Sequence, residues 1–271
     1  MEYIYILLLY LPSGFGRLTQ RATGYQYTHA AVSLDDTYTH FYAFSRLRAK
    51  TPPISGYIEE KRIYYTLGED VPIYTKIFRV PVTKEGYRNA IQYMEDVKND
   101  PEIMYNLIHM LLIPVFGGHP LYKAFHCGEF VAKVLEAAGI KLHQPYYRYT
   151  PKLFSELLEP YFLYEGTLDN SSRDGMEDDF FRETPKKEYL AKTLYIIKEL
   201  LFRQVFHRAS GHFRPEKVRF RVTDKVCDYI RGRNGISDNS RDMSDNGKSY
   251  IRTKIAYQKM TEFESTFIKL Y

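Results

Sequence analysis

The 271 residues contain no tryptophan and two cysteines. Cys127 and Cys227 are too few to staple a chain of this length, and neither stands in a Cys-x-x-Cys or His-Cys spacing that would hold zinc. A disulfide framework is excluded on these grounds, and a reducing, cytoplasmic compartment is the expectation. Long apolar runs are also missing. The longest, Met1-Glu2-Tyr3-Ile4-Tyr5-Ile6-Leu7-Leu8-Leu9-Tyr10-Leu11, is too short to span a bilayer and lacks the basic start and small-residue cleavage site of an export signal. Bounded by Pro12-Ser13-Gly14, it has the length and Tyr/Ile content of a buried strand. Neither sign of charge dominates: 38 Lys and Arg against 33 Asp and Glu leave +5, which permits attraction to phosphates or anionic lipid without demanding it. No internal repeat is found. His109, His119, His143, His207 and His212 are scattered without a ligand spacing such as His-Glu-x-x-His, so neither a metal nor a cofactor is expected.

An apolar content of 44%, with 26 tyrosines, supplies one core of ordinary domain size with residues to spare. Thr28 to Leu34 and Thr39 to Ser45 read as two antiparallel strands about the polar turn Asp35-Asp36-Thr37. The span from Arg46 to Asp70, broken by Thr51-Pro52-Pro53, Gly56 and Gly68, reads as an irregular excursion. Val71 to Val80 returns as a strand, which Pro72 assigns to a sheet edge. Helices are expected over Lys84 to Val97 behind Thr83, over Ile103 to Leu112, from Phe125 to Ala138, and from Thr150-Pro151 to Leu158. The predicted class is α+β. Residues 1–160 form the expected core domain, 161–182 an acidic linker, and 183–271 a basic, mainly helical extension.

A thiol is a useful nucleophile only as thiolate, and a helix N-terminus with a nearby histidine favours that form. Cys127 opens the Phe125 to Ala138 helix, and His29 lies in the strand segment Tyr27-Thr28-His29-Ala30-Ala31-Val32. A pair of this kind needs a third group to orient the imidazole. If the hairpin closes symmetrically about Asp35-Asp36, His29 faces Tyr42 and His40 is its diagonal neighbour on the same face. His40 is therefore the expected third member.

Thr28-His29 before a β-run, a polar residue on the next strand, and Phe125-His126-Cys127-Gly128-Glu129-Phe130-Val131-Ala132 much later resemble the circularly permuted, NlpC-type branch of the papain-like cysteine hydrolases. The histidine-before-cysteine order marks that branch, which also includes relatives of lecithin:retinol acyltransferase. The resemblance covers roughly Tyr3 to Leu158, including the Tyr105-Asn106-Leu107 approach to the cysteine helix. It implies a permuted papain-like fold in which an antiparallel sheet packs on the nucleophile's helix. Cys127 would be the nucleophile and His29 the base. His40 would take the third position, acidic in many bacterial relatives and histidine in the acyltransferases. The Asn-Cys-Glu-His segment of the acyltransferases is replaced here by His126-Cys127-Gly128-Glu129. The family's oxyanion hole implies the Cys127 backbone N–H and a second donor, for which Tyr27, Tyr10 and His126 are the candidates.

The expected activity is a cofactor-free thiol hydrolase, a peptidase or amidase acting through an acyl-enzyme on a peptide, isopeptide or ester. Acyl transfer of the lecithin:retinol acyltransferase type and a non-catalytic binding module are the alternatives. Basic residues from Arg203 to Arg233, with Phe206, Phe213, Phe220 and Tyr229 between them, could contact anionic lipid or nucleic acid, or simply form a solvated face.

Overall fold

The computed structural model describes residues 1–11, 20, 24–109, 120–169 and 175–209, with side chains as far as 205. Strand β1 (Glu2–Leu9) is apolar on both faces because both are covered. Its alternate residues divide between two clusters, Ile4, Ile6 and Leu8 in one and Tyr5, Leu7 and Leu9 in the other. Around it forms a six-stranded sheet with β2 (His29–Ser33), β3 (His40–Arg46), β4 (Ser55–Lys61), β5 (Ile73–Val82) and β8 (Phe162–Leu168). The order is β4-β3-β2-β1-β5-β8 and every neighbouring pair is antiparallel.

The larger cluster joins Ile4, Ile6 and Leu8 to α2 (Lys84–Asn99) and α3 (Cys127–Ala137). Phe130, Val131, Val134 and Leu135 of α3 are fully buried. Each such side chain contributes roughly 1.5–3 kcal/mol relative to exposure, so the helix that carries Cys127 is anchored by its apolar face. Thr83 and Thr150 cap α2 and α4 (Pro151–Leu157) as their sequences predict, accepting from the N–H groups of Gly86 and Leu153. The smaller cluster, with Ala31, Phe41, Ala43 and Ile77, is closed by Tyr65 from the short helix α1 (Arg62–Thr66).

Four expectations change. The Arg46 to Asp70 span contains β4 and α1, paired to β3 from His40↔Lys61 to Arg46↔Ser55. Strand β5 is internal to the sheet. Pro72 merely precedes it, and Pro81 lies beyond Phe78, where pairing with β8 ends. Met104–Tyr105 forms a short strand, β6, parallel to β7 (Ala124–Phe125), where a helix was expected. Residues 107–109 are helical, and residues 110–112 of the expected span lie outside the described residues. Finally, part of the expected 161–182 linker is strand β8. Its Glu165 accepts hydrogen bonds from Gln26 and Tyr27, tying the approach to β2 to the far edge of the sheet.

The chain divides into a compact unit from Met1 to Gln204 and a second from Val205 to Tyr271. Helix α5 (Lys186–Ala209) supplies the helical start expected after residue 183, and the rest of the expected helical extension lies outside the described residues. No helix among the described residues is long and apolar enough to cross a membrane.

Candidate active site

Cys127 is the first residue of α3 and is half-buried. The helix starts there because His126 is extended (φ −99°, ψ 176°) and its ring Nδ1 accepts the Gly128 N–H at 2.9 Å. Glu129 returns the favour, its Oε2 accepting the His126 N–H at 2.9 Å, a reciprocal capping box with histidine in the position usually held by serine or threonine. The Cys127 N–H, one of the amides a helix start leaves without an intrahelical acceptor, has no hydrogen-bond partner among the described residues.

His29, the first residue of β2, is 3% exposed and lies close enough to the Cys127 side chain for the two to interact electrostatically. Its Nε2 lies 2.9 Å from Oε2 of Glu60, a residue of β4 that reaches past β3 and is equally buried. With Nε2 committed to the carboxylate, Nδ1 is the nitrogen left for the thiol. Burial pulls the imidazole pKa down. The Glu60 charge and the interactions with Cys127 and Glu60 overcome it and raise the pKa to about 10. Glu60 moves the opposite way: burial pushes it up, but the His29 charge and hydrogen bonds from His29, Tyr65 and Ser45 bring it below the ordinary carboxylate value. The Tyr65 hydroxyl donates to the same Oε2 at 2.6 Å, so the oxygen that faces His29 is held from two sides. A half-buried thiol, a buried imidazole and a buried carboxylate thus stand in the order used for nucleophilic catalysis.

His40 is not part of it. Val32 of β2 pairs with Tyr42 of β3, three residues away from the register that symmetric closure about Asp35-Asp36 predicts. An odd shift exchanges the two faces of a strand, so His40 points away from the face that carries His29. Its side chain is half exposed and its Nδ1 meets Glu59, not His29, at 2.8 Å. A His40→Ala chain is therefore expected to lose no more than about 1 kcal/mol of stability, the usual ceiling for an exposed ion pair. Its thiol reactivity should be unchanged in an iodoacetamide labelling assay.

Two of the three expected second oxyanion donors also fall away. The Tyr27 hydroxyl donates to Glu165 Oε1 at 2.8 Å, and the His126 ring is occupied on both nitrogens. Tyr10, the third, is partly buried against the larger core cluster, and no contact of its hydroxyl among the described residues excludes it. Arg203, the first residue of the basic stretch, is buried, donating to the carbonyls of Tyr122 and Lys123 and pairing with Glu199. It is not available to a phosphate, and the side chains of the rest of that stretch, like Cys227, lie outside the described residues.

The structure assembles one group that sequence spacing conceals. The β6–β7 bridge, continued by the Asn106 N–H to the Phe125 carbonyl, brings the 104–109 segment beside the start of α3. His109, His126 and Glu129, all buried, then offer three potential metal-ligand atoms within 4.8 Å of one another. The hydrogen bonds argue against a metal. His126 Nδ1 accepts from Gly128, so its single proton occupies Nε2, the atom a metal would need. That proton is directed at His109 Nε2, 3.1 Å away. Burial, and then the proximity of His109, hold the His126 pKa well below the ordinary imidazole value, which preserves this neutral form.

No family model, curated protein or solved structure matches the chain.

Proposed function

We propose that the chain is a cysteine-dependent hydrolase with a permuted papain-like, NlpC-type fold, cleaving an amide or ester through an acyl-enzyme. The observation that carries this reading is the Cys127–His29–Glu60 arrangement, with Nε2 of the buried imidazole on a buried carboxylate and the half-buried thiol at a helix start. His29, whose raised pKa keeps it protonated, already holds the thiol's proton as sulfur bonds to the substrate carbonyl carbon, and the carbonyl electron pair moves onto oxygen beside the Cys127 N–H. Collapse of that intermediate expels the amine or alcohol, which takes the proton back from His29. Water, deprotonated by the same imidazole, then cleaves the thioester and restores the thiol. Glu60 orients the ring and stabilises the imidazolium without itself taking a proton.

An acidic third member favours hydrolysis over acyl transfer. The resemblance assigns carboxylates to bacterial hydrolases and histidine to the acyltransferases, and Glu60 occupies the place where His40 was expected. The test is iodoacetamide labelling mapped to the Cys127 peptide, with turnover of model amides and esters, for the natural chain and Cys127→Ala. Turnover in the natural chain and none in the variant is expected. Equal turnover by both chains would remove Cys127 from the chemistry. Product partitioning with an added amine separates transfer from hydrolysis, and water is expected to remain the preferred acceptor.

A further inference from the structure

The His109–His126–Glu129 cluster is not used by the mechanism above, although it touches the residues on either side of the nucleophile. We propose that His126, held in one tautomer by His109, is a positioning residue that aligns the Cys127 N–H as an oxyanion donor. This rests on the reading of Cys127 as the attacking thiol.

The argument begins with the amides of the first turn. The Phe130 N–H goes to the His126 carbonyl and the Gly128 N–H to His126 Nδ1. The Cys127 N–H is left without a partner among the described residues, and its direction is fixed because its neighbours are satisfied. Oxyanion stabilisation depends on such preorganisation, since a donor that must swing into place loses much of its effect. A histidine can serve as this cap only while Nδ1 is bare. His109 secures that by accepting the Nε2 proton at 3.1 Å, the two rings lying 4.3 Å apart between centroids. Glu129 stands beside His109, its Oε1 3.1 Å from Nδ1 as a charge contact that does not align as a hydrogen bond, while its Oε2 accepts the His126 N–H. Three hydrogen bonds, Gly128 to His126, His126 to His109 and the His126 N–H to Glu129, are closed by the Glu129 charge beside His109. A protonated His126 has no lone pair for Gly128, and the depressed pKa noted above keeps that form away.

Two reactions at one sulfur test this on the full chain. Acylation by p-nitrophenyl acetate forms the S–C bond, places the carbonyl electron pair on oxygen and then releases p-nitrophenolate, so it needs the oxyanion donor. Alkylation by iodoacetamide displaces iodide at a CH₂ carbon and needs no such donor. Loss of one donor elsewhere costs roughly 10²- to 10³-fold, and misalignment of a retained donor costs less. The His126→Ala and His109→Leu variants are thus expected to acylate on the order of tenfold to a hundredfold more slowly, with alkylation within about threefold of the natural chain. Recovery is expected in His126→Asn, whose side-chain oxygen caps a helix directly, and in His109→Gln, whose oxygen accepts the Nε2 proton. Unchanged acylation in His126→Ala and His109→Leu, or a parallel fall in both rates, would overturn the proposal. Imidazole ¹⁵N shifts of the natural chain give a check that no folding defect can obscure: His126 must be the Nε2–H tautomer, and the Nδ1–H tautomer overturns it. A p-nitrophenolate burst that survives in Cys127→Ala would instead remove the nucleophile assignment itself.

Discussion

Replacing Glu60 by glutamine is expected to slow turnover by roughly 10²- to 10⁴-fold, the range associated with loss of a positioned acid–base function. The substituted amide keeps the size of the side chain, and the Tyr65 hydroxyl still has an oxygen to meet. What disappears is the charge. Glu60 is the leading cause that raises the His29 pKa, opposing the burial that would otherwise keep the ring neutral. An uncharged partner also lets the imidazole settle in the wrong tautomer, with its proton toward sulfur. Iodoacetamide labelling of Cys127 at pH 6 should slow together with turnover, because both need the imidazolium beside the thiol. Labelling and turnover at the natural rates would refute the role of Glu60.

The same substitution has a signature in stability. The folded pKa of His29, raised to about 10, lies above the ordinary imidazole value of 6.5, so the folded chain binds the proton more tightly than the unfolded one. The resulting stabilisation is fully present below about pH 6.5 and is lost as pH rises through about 10. In Glu60→Gln the decline over that window should largely vanish, and urea midpoints measured across it show whether it does.

Gly128→Ala is expected to be the most disruptive single methyl in the described residues around the nucleophile. An added Cβ would stand 2.1 Å from the Tyr149 carbonyl oxygen and 2.8 Å from His126 Cε1. Neither neighbour is free to retreat. Tyr149 is buried against Phe154, and the His126 ring is held at both nitrogens. Overpacking of a rigid site costs about 1–3 kcal/mol, and backbone contact at this distance places the variant at the upper end of that range. Relief requires either Tyr149 to move away or the capping bond to break, so loss of stability should come with loss of Cys127 acylation. A denaturation midpoint equal to that of the natural chain would show that the approach of Tyr149 to the helix start is looser than described.

Much of the scaffold was legible because local chemistry and burial agree. Thr83 and Thr150 announce helix starts, and the i, i+1, i+4, i+5 spacing from Phe130 to Leu135 marks the buried face of α3. Cys127 and His29 were legible for the same reason, each sitting at the boundary of an element that could be read. Glu60 was not. It follows two prolines and a glycine in a span whose composition resembles a loop, and it stands next to Glu59, from which sequence cannot distinguish it. The pleat makes that distinction: Glu59 faces His40 and solvent, while Glu60 enters the core. Predicting which is which required the register of β2 on β3, and a three-residue error there selected His40. The second histidine cluster was hidden differently, since His109 and His126 meet only through a two-residue parallel bridge too short to leave a periodic signal.

Separation of the key residues along the chain has a consequence for synthesis. His29 and Glu60 leave the ribosome first, and Cys127, the proposed nucleophile, follows after the stretch between residues 60 and 127 has been added. At about 5–20 residues per second this takes several seconds, during which the nascent chain carries a base and a carboxylate without a thiol to act on. Even then α3 must dock, and the Tyr149 carbonyl that abuts its start emerges later still. Under the proposed function, reactivity therefore arrives only with completion of the domain.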